Sequence, residues 1–369
     1  MLTAEELRRY QRHLSLPGFG RAPQERLKAG KVLVVGAGGL GCPALLYLAA
    51  AGVGRIVVVD SDTVEASNLQ RQVLYTEQDV GQPKAEVAAR RLRALNSLVD
   101  IVAVAERLRR ENALDLVGAC DVVIDGSDNF ATRYLVNDAC VMADRPFVYG
   151  AIQGFDGQLS VFNWRGGPTY RCLFPSPPAA ELAPNCAEAG VLGVLPGVVG
   201  TWQAGEAIRI LSGVGEPLSG KLLLWNALTM NVQTVRLAAD PNSRPIRELP
   251  ADAEPAACAR DGWESDSWEI DVAELRRLLG AGSVQVIDVR EDWERAEDAI
   301  HPSLHIPLGQ LEDASSSPLL AGLRADLPTV VYCAAGVRSL AAAGILRKSH
   351  GLRVAKSLRG GIHAWRTTG

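Results

Sequence analysis

Short runs of β-branched residues alternate with helix-period stretches through the first third of this chain. Lys31–Val35 and Arg55–Asp60 read as strands flanking a helical stretch, Cys42–Ala51. A second round follows, with a helix near Lys84–Leu95, a strand near Asp100–Val104, a helix over Asn112–Val117 and a strand over Asp121–Asp125. Apolar strands separated by helices predict an α/β fold, an open and mostly parallel sheet covered by helices. After Ala151 the pattern changes to alternating strands, Gln158–Phe162 and Lys221–Trp225, with Gly193–Leu211 reading as a helix that begins in glycine-rich sequence. This half continues the first domain.

Pro241, Pro245, Pro250 and Pro255 crowd the stretch between Ala238 and Trp268, which neither a continuous helix nor a central strand tolerates. It reads as a linker, residues 238–268, between a first domain over 1–237 and a small α/β domain over 269–369. In the latter, Val284–Val289, Leu304–Ile306, Thr329–Tyr332 and Val354–Ser357 are short buried-strand runs spaced by helical segments.

Composition narrows the function. At 369 residues and 47% hydrophobic, the chain has material for two cores. A net charge of -4 and no long basic run leave no electrostatic footprint for nucleic acid or an anionic membrane. The start, Met1–His13, is charged and lacks the apolar stretch of a secretory signal. The longest apolar run, Cys42–Val53, is about a dozen residues, too short to span a bilayer. Seven cysteines without regular spacing do not form a disulfide framework, so reduced thiols and a cytoplasmic location are expected. Cys42, Cys120 and Cys140 sit in apolar surroundings and read as small buried hydrophobes.

Two segments carry chemistry. Gly36-Ala37-Gly38-Gly39-Leu40-Gly41 follows the first strand and opens the first helix, the spacing that lets backbone approach a polyphosphate at a helix N-terminus. Asp60 ends the second strand, where an acidic residue can bind ribose hydroxyls. On these residues alone a nicotinamide-dependent oxidoreductase stays open. The second segment, Cys333-Ala334-Ala335-Gly336-Val337-Arg338-Ser339, is a thiol on a short loop closed by an arginine. Such a loop aims backbone N–H groups and a helix N-terminus at the sulfur, which favours a thiolate or persulfide anion, and Arg338 adds positive charge.

Asp60-Ser61-Asp62-Thr63-Val64, Ser67-Asn68-Leu69-Gln70-Arg71-Gln72, Gly81-Gln82-Pro83-Lys84 and Ser127-Asp128-Asn129 with Arg133 occur in order after the glycine turn. At these residues, from about Arg9 to Leu237, the chain resembles the MoeB and ThiF family, ATP-dependent activators related to ubiquitin-activating enzymes. The resemblance implies a Rossmann-like ATP-binding domain that joins the C-terminal Gly-Gly carboxylate of a ubiquitin-like sulfur carrier (MoaD- or ThiS-like) to AMP. It assigns Gly39 to the phosphate turn, Asp60 to the ribose, Asn68 to the nucleotide and Asp128 to Mg2+, with Asn129 beside it. It also matches Arg12 to an arginine that reaches a neighbouring subunit's ATP site, which implies a homodimer. The chemistry agrees: a carboxylate attacking the α-phosphate brings two anions together, so the site needs cations, here Arg71 and Lys84.

Asn185-Cys186-Ala187-Glu188-Ala189-Gly190-Val191 matches the family segment that carries a catalytic cysteine, and a spare loop thiol remains the other reading of Cys186. Many relatives close a structural zinc site with two Cys-x-x-Cys pairs. Here Thr169-Tyr170-Arg171-Cys172 and Pro255-Ala256-Ala257-Cys258 retain one thiol each, so no zinc is expected, as in the MoeZ-type subgroup. His301, His305 and His363 form no ligand cluster and read as packing or surface residues.

From Glu269 onward the chain resembles a rhodanese domain, through Val286-Ile287-Asp288-Val289-Arg290-Glu291, His305-Ile306-Pro307-Leu308, the Cys333 loop and Gly360-Gly361-Ile362-His363-Ala364-Trp365. A phosphatase loop is the competing reading. Four residues separate Cys333 from Arg338, where a phosphatase carries one more, and the shorter cradle suits a single sulfur atom. Together the resemblances imply adenylation followed by sulfur transfer from a Cys333 persulfide, with a cysteine desulfurase or thiosulfate as donor. A free-standing thiosulfate sulfurtransferase and a non-catalytic scaffold for carrier proteins are the alternatives.

Overall fold

The computed structural model describes residues 1–177, 191–240, 246–249, 268–312, 323–324, 327–349 and 355–367. Contacts divide the chain into two compact units, Met1–Cys258 and Ala259–Gly369. Most of the 238–268 linker lies outside the described residues.

Among the described residues the first unit holds eight strands: β1 (Lys31–Val35), β2 (Arg55–Val59), β3 (Asp100–Val104), β4 (Val122–Asp125), β5 (Phe147–Gln153), β6 (Asp156–Phe162), β7 (Lys221–Asn226) and β8 (Asn231–Arg236). Their order in the sheet is β3-β2-β1-β4-β5-β6-β7-β8, parallel from β3 to β5 and antiparallel beyond. Chain order reverses between β1 and β4. The crevice beyond the carboxyl ends of those two strands is where an open α/β sheet binds ligands.

Period-two alternation sends each strand's apolar residues to opposite faces. Val32, Val34, Ile56 and Val58 pack with Leu45, Leu48, Ala88 and Leu92, from the helices Gly41–Ala51 and Lys84–Leu95. Leu33, Val35, Val57 and Val59 pack on the other face with Val117, Val136 and Cys140, from the helices Arg110–Gly118 and Phe130–Met142. The long helix Val194–Ser212 crosses close to the glycine turn, because a Cβ at Gly200 would strike the Leu40 carbonyl oxygen. Its Gln203 is fully buried and donates from Nε2 to the Asp125 carbonyl at 2.7 Å, tying that helix to the end of β4.

The second unit is a parallel five-stranded sheet of order β11-β10-β12-β13-β9, built from β9 (Glu269–Ile270), β10 (Gln285–Asp288), β11 (Leu304–His305), β12 (Thr329–Tyr332) and β13 (Ala355–Leu358). Ile287, Val331 and Ala355 face the helix Val337–Ser349, while Val286, Val330 and Leu358 face Leu275 and Ile362. At the ends of β10 and β12, Asp288 accepts from the Tyr332 hydroxyl at 2.7 Å and from Arg290 at 2.8 and 3.0 Å. Burial pushes this carboxyl up, and those donors outweigh it and hold it below its ordinary value.

The α/β, Rossmann-like class and the mostly parallel sheet agree with the sequence, and β1, β3, β12 and the helix Lys84–Leu95 fall on their expected bounds. β5, β8, β9 and the helix Phe130–Met142 are additions. β8 is exposed along its whole length, so no buried face marks it in the sequence.

Two candidate active sites

In the first unit, the glycine turn lines a cleft of about 770 Å3 at the switch point between β1 and β4. That volume lies in the range of small-molecule and cofactor sites. The turn depends on glycine for shape. Gly36 sits at φ +90°, and a Cβ there would lie 2.7 Å from the Gly126 carbonyl oxygen, while one at Gly41 would strike the Gly36 carbonyl oxygen. The Tyr75 hydroxyl donates to the Ala37 carbonyl at 2.8 Å and pins the turn from below. Cys42 lies beneath it, with burial pushing its thiol up to about 12, so it is a packing residue and not a nucleophile. Burial likewise raises Cys120 to about 11 and Cys140 well above the ordinary thiol value.

Asp60, at the end of β2, accepts from the backbone N–H of Ala37 at 2.7 Å and of Asp62 at 2.8 Å. Burial raises its carboxyl above its ordinary value despite those donors. Lys84 opens its helix with 6% exposure and directs Nζ at Asp62 Oδ2, 3.0 Å away, into a carboxylate that is itself largely exposed. Arg71 donates to the Ser67 carbonyl at 3.2 Å and lies against the Gly39 backbone. Gly39, Asp60, Arg71, Lys84, Asp128 and Asn129 all line the one cleft. Asn68, 8% exposed, stands on the turn before Arg71.

Among the described residues, Gln72 Oε1 and the Tyr170 hydroxyl oxygen, both on cleft-lining residues, are buried without a hydrogen-bond partner, as is Asn68 Oδ1, whose residue is not part of the cleft lining. Leaving such atoms unpaired costs about 1–3 kcal/mol each. Gln72 also lines the cleft, with its side-chain amide against Gly38. Its place directly after Arg71 in the motif is the sequence signal for it.

Asp128 is exposed on the cleft wall, and Asn129 caps the helix Phe130–Met142 by accepting from Thr132 N at 2.9 Å. Beneath them Asp125 and Arg133 form a buried pair at 3.0 Å. Ser127 adds bonds from N and Oγ to the other carboxylate oxygen at 2.9 and 2.5 Å. This pair props the Ser127-Asp128-Asn129 loop. Arg12 is exposed on the short helix Gln11–Leu14, outside the cleft lining.

In the second unit, Cys333 follows β12 and is 2% exposed. Its sulfur accepts from Gly336 N at 3.1 Å, and Ser339 Oγ lies 3.5 Å from it. The Cys333, Ala334 and Gly336 carbonyls are paired away from the sulfur. Ile362 N and His363 N donate to the Cys333 and Ala334 carbonyls at 2.9 and 3.2 Å, and Ser339 and Ser357 hydroxyls donate to Gly336 O at 2.9 and 3.0 Å. Gly336 adopts φ +103°, and Gly361 packs so close to the Cys333 and Ala334 carbonyls that a Cβ there would strike both. The result is a tight crown around one sulfur atom.

Arg338 aims elsewhere than at the thiol: its two terminal nitrogens donate to the two carboxylate oxygens of Glu294 at 2.7 and 2.6 Å. Glu294, which no local motif in the sequence marks, stands in the helix Asp292–Glu297. His305 packs its Nε2 2.8 Å from the Arg290 carbonyl oxygen. Cys186 and Cys258 lie outside the described residues. Cys172 is half-buried; burial pushes its thiol up, but hydrogen bonds from Asp240 N and Thr169 outweigh that and hold it below the ordinary value. Among the described residues no helix is long and apolar enough to cross a membrane, and no three His, Cys, Asp or Glu side chains are grouped for a metal ion.

A cleft lined by a glycine turn at a switch point, followed by a cysteine crown on a separate parallel sheet, defines a two-domain enzyme. The chain belongs to the ThiF family, whose model matches residues 10–245, and the rhodanese-like domain model matches residues 271–368. It is 44% identical to the probable adenylyltransferase/sulfurtransferase MoeZ of Mycobacterium tuberculosis, over 99% of this chain and 94% of that protein. It is 43% identical to the adenylyltransferase and sulfurtransferase MOCS3 of Mus musculus, over 99% and 86%. The sulfur carrier protein adenylyltransferase of Thermus thermophilus is 56% identical over 65% of this chain and 90% of its own length. Among solved structures, E. coli MccB with ATP superposes with a TM-score of 0.52 at 25% identity, over 61% of this chain and 68% of that one. The chain is accordingly an enzyme with adenylyltransferase and sulfurtransferase activities, and an oxidoreductase reading of the glycine turn is set aside.

Proposed function

We propose that the first unit adenylates the C-terminal Gly-Gly of a ubiquitin-like sulfur carrier and that Cys333 of the second unit delivers sulfur to it. The observation that carries the first half is the convergence of the glycine turn, Asp60, Arg71, Lys84 and Asp128 on one cleft with unpartnered buried polar atoms beside it. Names among the relatives support the carrier as substrate.

Arg71 and Lys84 reduce the repulsion between the carrier carboxylate and the α-phosphate. The carboxylate oxygen bonds to phosphorus, pyrophosphate leaves, and the product is an acyl-adenylate. Lys84 is already desolvated, so its charge acts at short range and needs little reorganisation when the nucleotide displaces Asp62 as its partner. Asp60 faces the ribose, Asn68 the nucleotide and Gly39 the phosphates. Asp128, an exposed hard-oxygen donor in the cleft, suits Mg2+, which is held by one or two carboxylates together with substrate phosphates. When bound, the ion neutralises phosphate charge. Asn129 keeps Asp128 in place by capping the helix behind it. Arg12 belongs to the neighbouring subunit's cleft in a homodimer, and the enzyme acts in the cytoplasm without zinc.

Cys333 carries the sulfur as a persulfide. Its terminal sulfur attacks the activated carbonyl, AMP leaves, and an acyl disulfide joins carrier to enzyme. A second thiol, from Cys186 or an external reductant, then attacks the Cys333 sulfur and releases the thiocarboxylate, leaving a disulfide on Cys333. Incubating the chain with candidate Gly-Gly carriers, ATP, Mg2+ and a sulfur source tests the sequence of steps. Intact mass should show one oxygen of the carrier exchanged for sulfur, only when ATP is present. Thiocarboxylate formation without ATP would overturn the reading.

A further inference from the structure

We propose that Glu294 is a specificity-determining residue of the sulfur site, holding Arg338 in a neutral pair so that Cys333 takes its sulfur from a cysteine persulfide and not from a dianionic donor such as thiosulfate. This rests on the reading of Cys333 as the sulfur carrier.

The geometry is that of a fork closed on a carboxylate. Both terminal nitrogens of Arg338 are engaged at 2.7 and 2.6 Å, and the two side chains are 21% and 12% exposed. A bidentate pair shielded from water keeps its partners far better than a surface ion pair does. Arg338 is the fixed cation of the Cys333 loop, five positions after the thiol. It is therefore the group a small anionic donor would use. With Glu294 on it, the pair carries no net charge, and thiosulfate meets none of the cation that would offset its two negative charges.

Glu294 is held where it stands. The Glu291 N–H donates to its Oε2 at 3.0 Å, closing a capping box at the start of the helix, so the carboxylate is anchored on its own element before it meets an arginine 44 residues away. Hydrogen bonding to Arg338 holds its carboxyl below the ordinary value against burial, so the pair stays ionised near neutral pH.

In the disfavoured reaction the Cys333 thiolate attacks the outer sulfur of thiosulfate, the S–S bond breaks and sulfite leaves with the electron pair. In the favoured one the same thiolate attacks the terminal sulfur of a donor cysteine persulfide, and the donor leaves as a thiolate. A donor of the second kind brings no sulfonate charge to the loop. Its affinity comes from contacts beyond the sulfur.

The test uses the full chain with thiosulfate as donor and cyanide as acceptor, reading thiocyanate. Glu294→Gln keeps the side chain's size and frees the guanidinium, and KM for thiosulfate should fall about tenfold, with kcat changing less. Added salt should erase the gain. Glu294→Asp, which keeps the charge but retracts it, should give a smaller fall. The gain should vanish in Glu294→Gln combined with Arg338→Ala. An unchanged or higher KM in folded Glu294→Gln and Glu294→Asp overturns the proposal, as does a gain that survives loss of Arg338. Failure of the wild-type Cys333 to accept sulfur from either thiosulfate or a cysteine persulfide would instead overturn the assignment of Cys333 on which the proposal stands.

Discussion

The nucleotide cleft and the cysteine crown solve opposite problems with the same piece of architecture, the carboxyl ends of parallel strands. The cleft leaves polar groups waiting: among the described residues, Gln72 Oε1 and the Tyr170 hydroxyl oxygen of its lining are buried without partners, and Lys84 is desolvated against a carboxylate that water still reaches. The crown is closed. The Cys333, Ala334 and Gly336 carbonyls are turned to partners, the sulfur accepts from Gly336 N, and the arginine is matched by Glu294. A site that binds a large polyanion benefits from unmet polar demand, which the ligand satisfies. A site that carries one sulfur atom benefits from having that demand met, because water is kept from a reactive persulfide.

Removing the sulfur itself breaks the comparison most completely. Cys333→Ala should lower thiocarboxylate formation by about 1,000-fold or more, since Cys333 is the one cysteine in residues 259–369 and a hydroxyl does not carry a persulfide. Carrier-dependent ATP–pyrophosphate exchange locates that loss, because a comparable fall in exchange would contradict the division of labour between the units.

Next comes charge in the cleft. Lys84→Ala should lower exchange by about 100- to 1,000-fold, the scale of losing one preorganised charge at a developing phosphate centre. Lys84→Met, similar in length but neutral, should recover little of it. If the neutral variant restores most of the activity, packing and not charge is what the cleft requires of this residue.

The shape of the turn is a stability effect. Gly36→Ala forces a Cβ into positive φ and against the Gly126 carbonyl, which should cost about 2–4 kcal/mol on denaturant unfolding. At Gly118, where a Cβ meets nothing within 4 Å, the same change should be almost neutral.

The smallest effect concerns acid. Asp79, buried at the foot of the cleft unit, is pushed up by burial, but Thr76 and Arg91 outweigh that and hold it down at about 2. A lowered folded value means its contribution is full above the unfolded carboxylate pKa of about 4 and is lost as pH falls through about 2. Asp79→Asn should therefore cost about 1–2 kcal/mol at pH 7 and much less at pH 2, measured by urea midpoints. Equal losses at both values would show that the carboxylate's charge is not what stabilises the Thr76 turn.

Much of both sites is legible in the residues alone. The glycine turn, Asp60, Arg71, Lys84 and the Cys333 loop are local motifs, and local spacing sets which backbone groups point together. The helix Phe130–Met142 announces itself only through its cap, Asn129, because its buried polar positions Arg133, Asn137 and Asp138 blur the apolar stripe. β8 carries no buried face, so alternation has nothing to report.

Strand periodicity, turn chemistry and motif order are short-range properties, and they determine the α/β class, the position of the phosphate turn and the identity of the reactive thiol. Partner choice is long-range. The Arg171 pair with Asp138, the Gln203 tie to Asp125 and the hold of Glu294 on Arg338 join residues separated by 33, 78 and 44 positions. A charge is visible in a sequence, but whether it is free or neutralised depends on what the folded chain places within hydrogen-bond distance of it. The tertiary structure decided that for Arg338, and with it the character of the sulfur site.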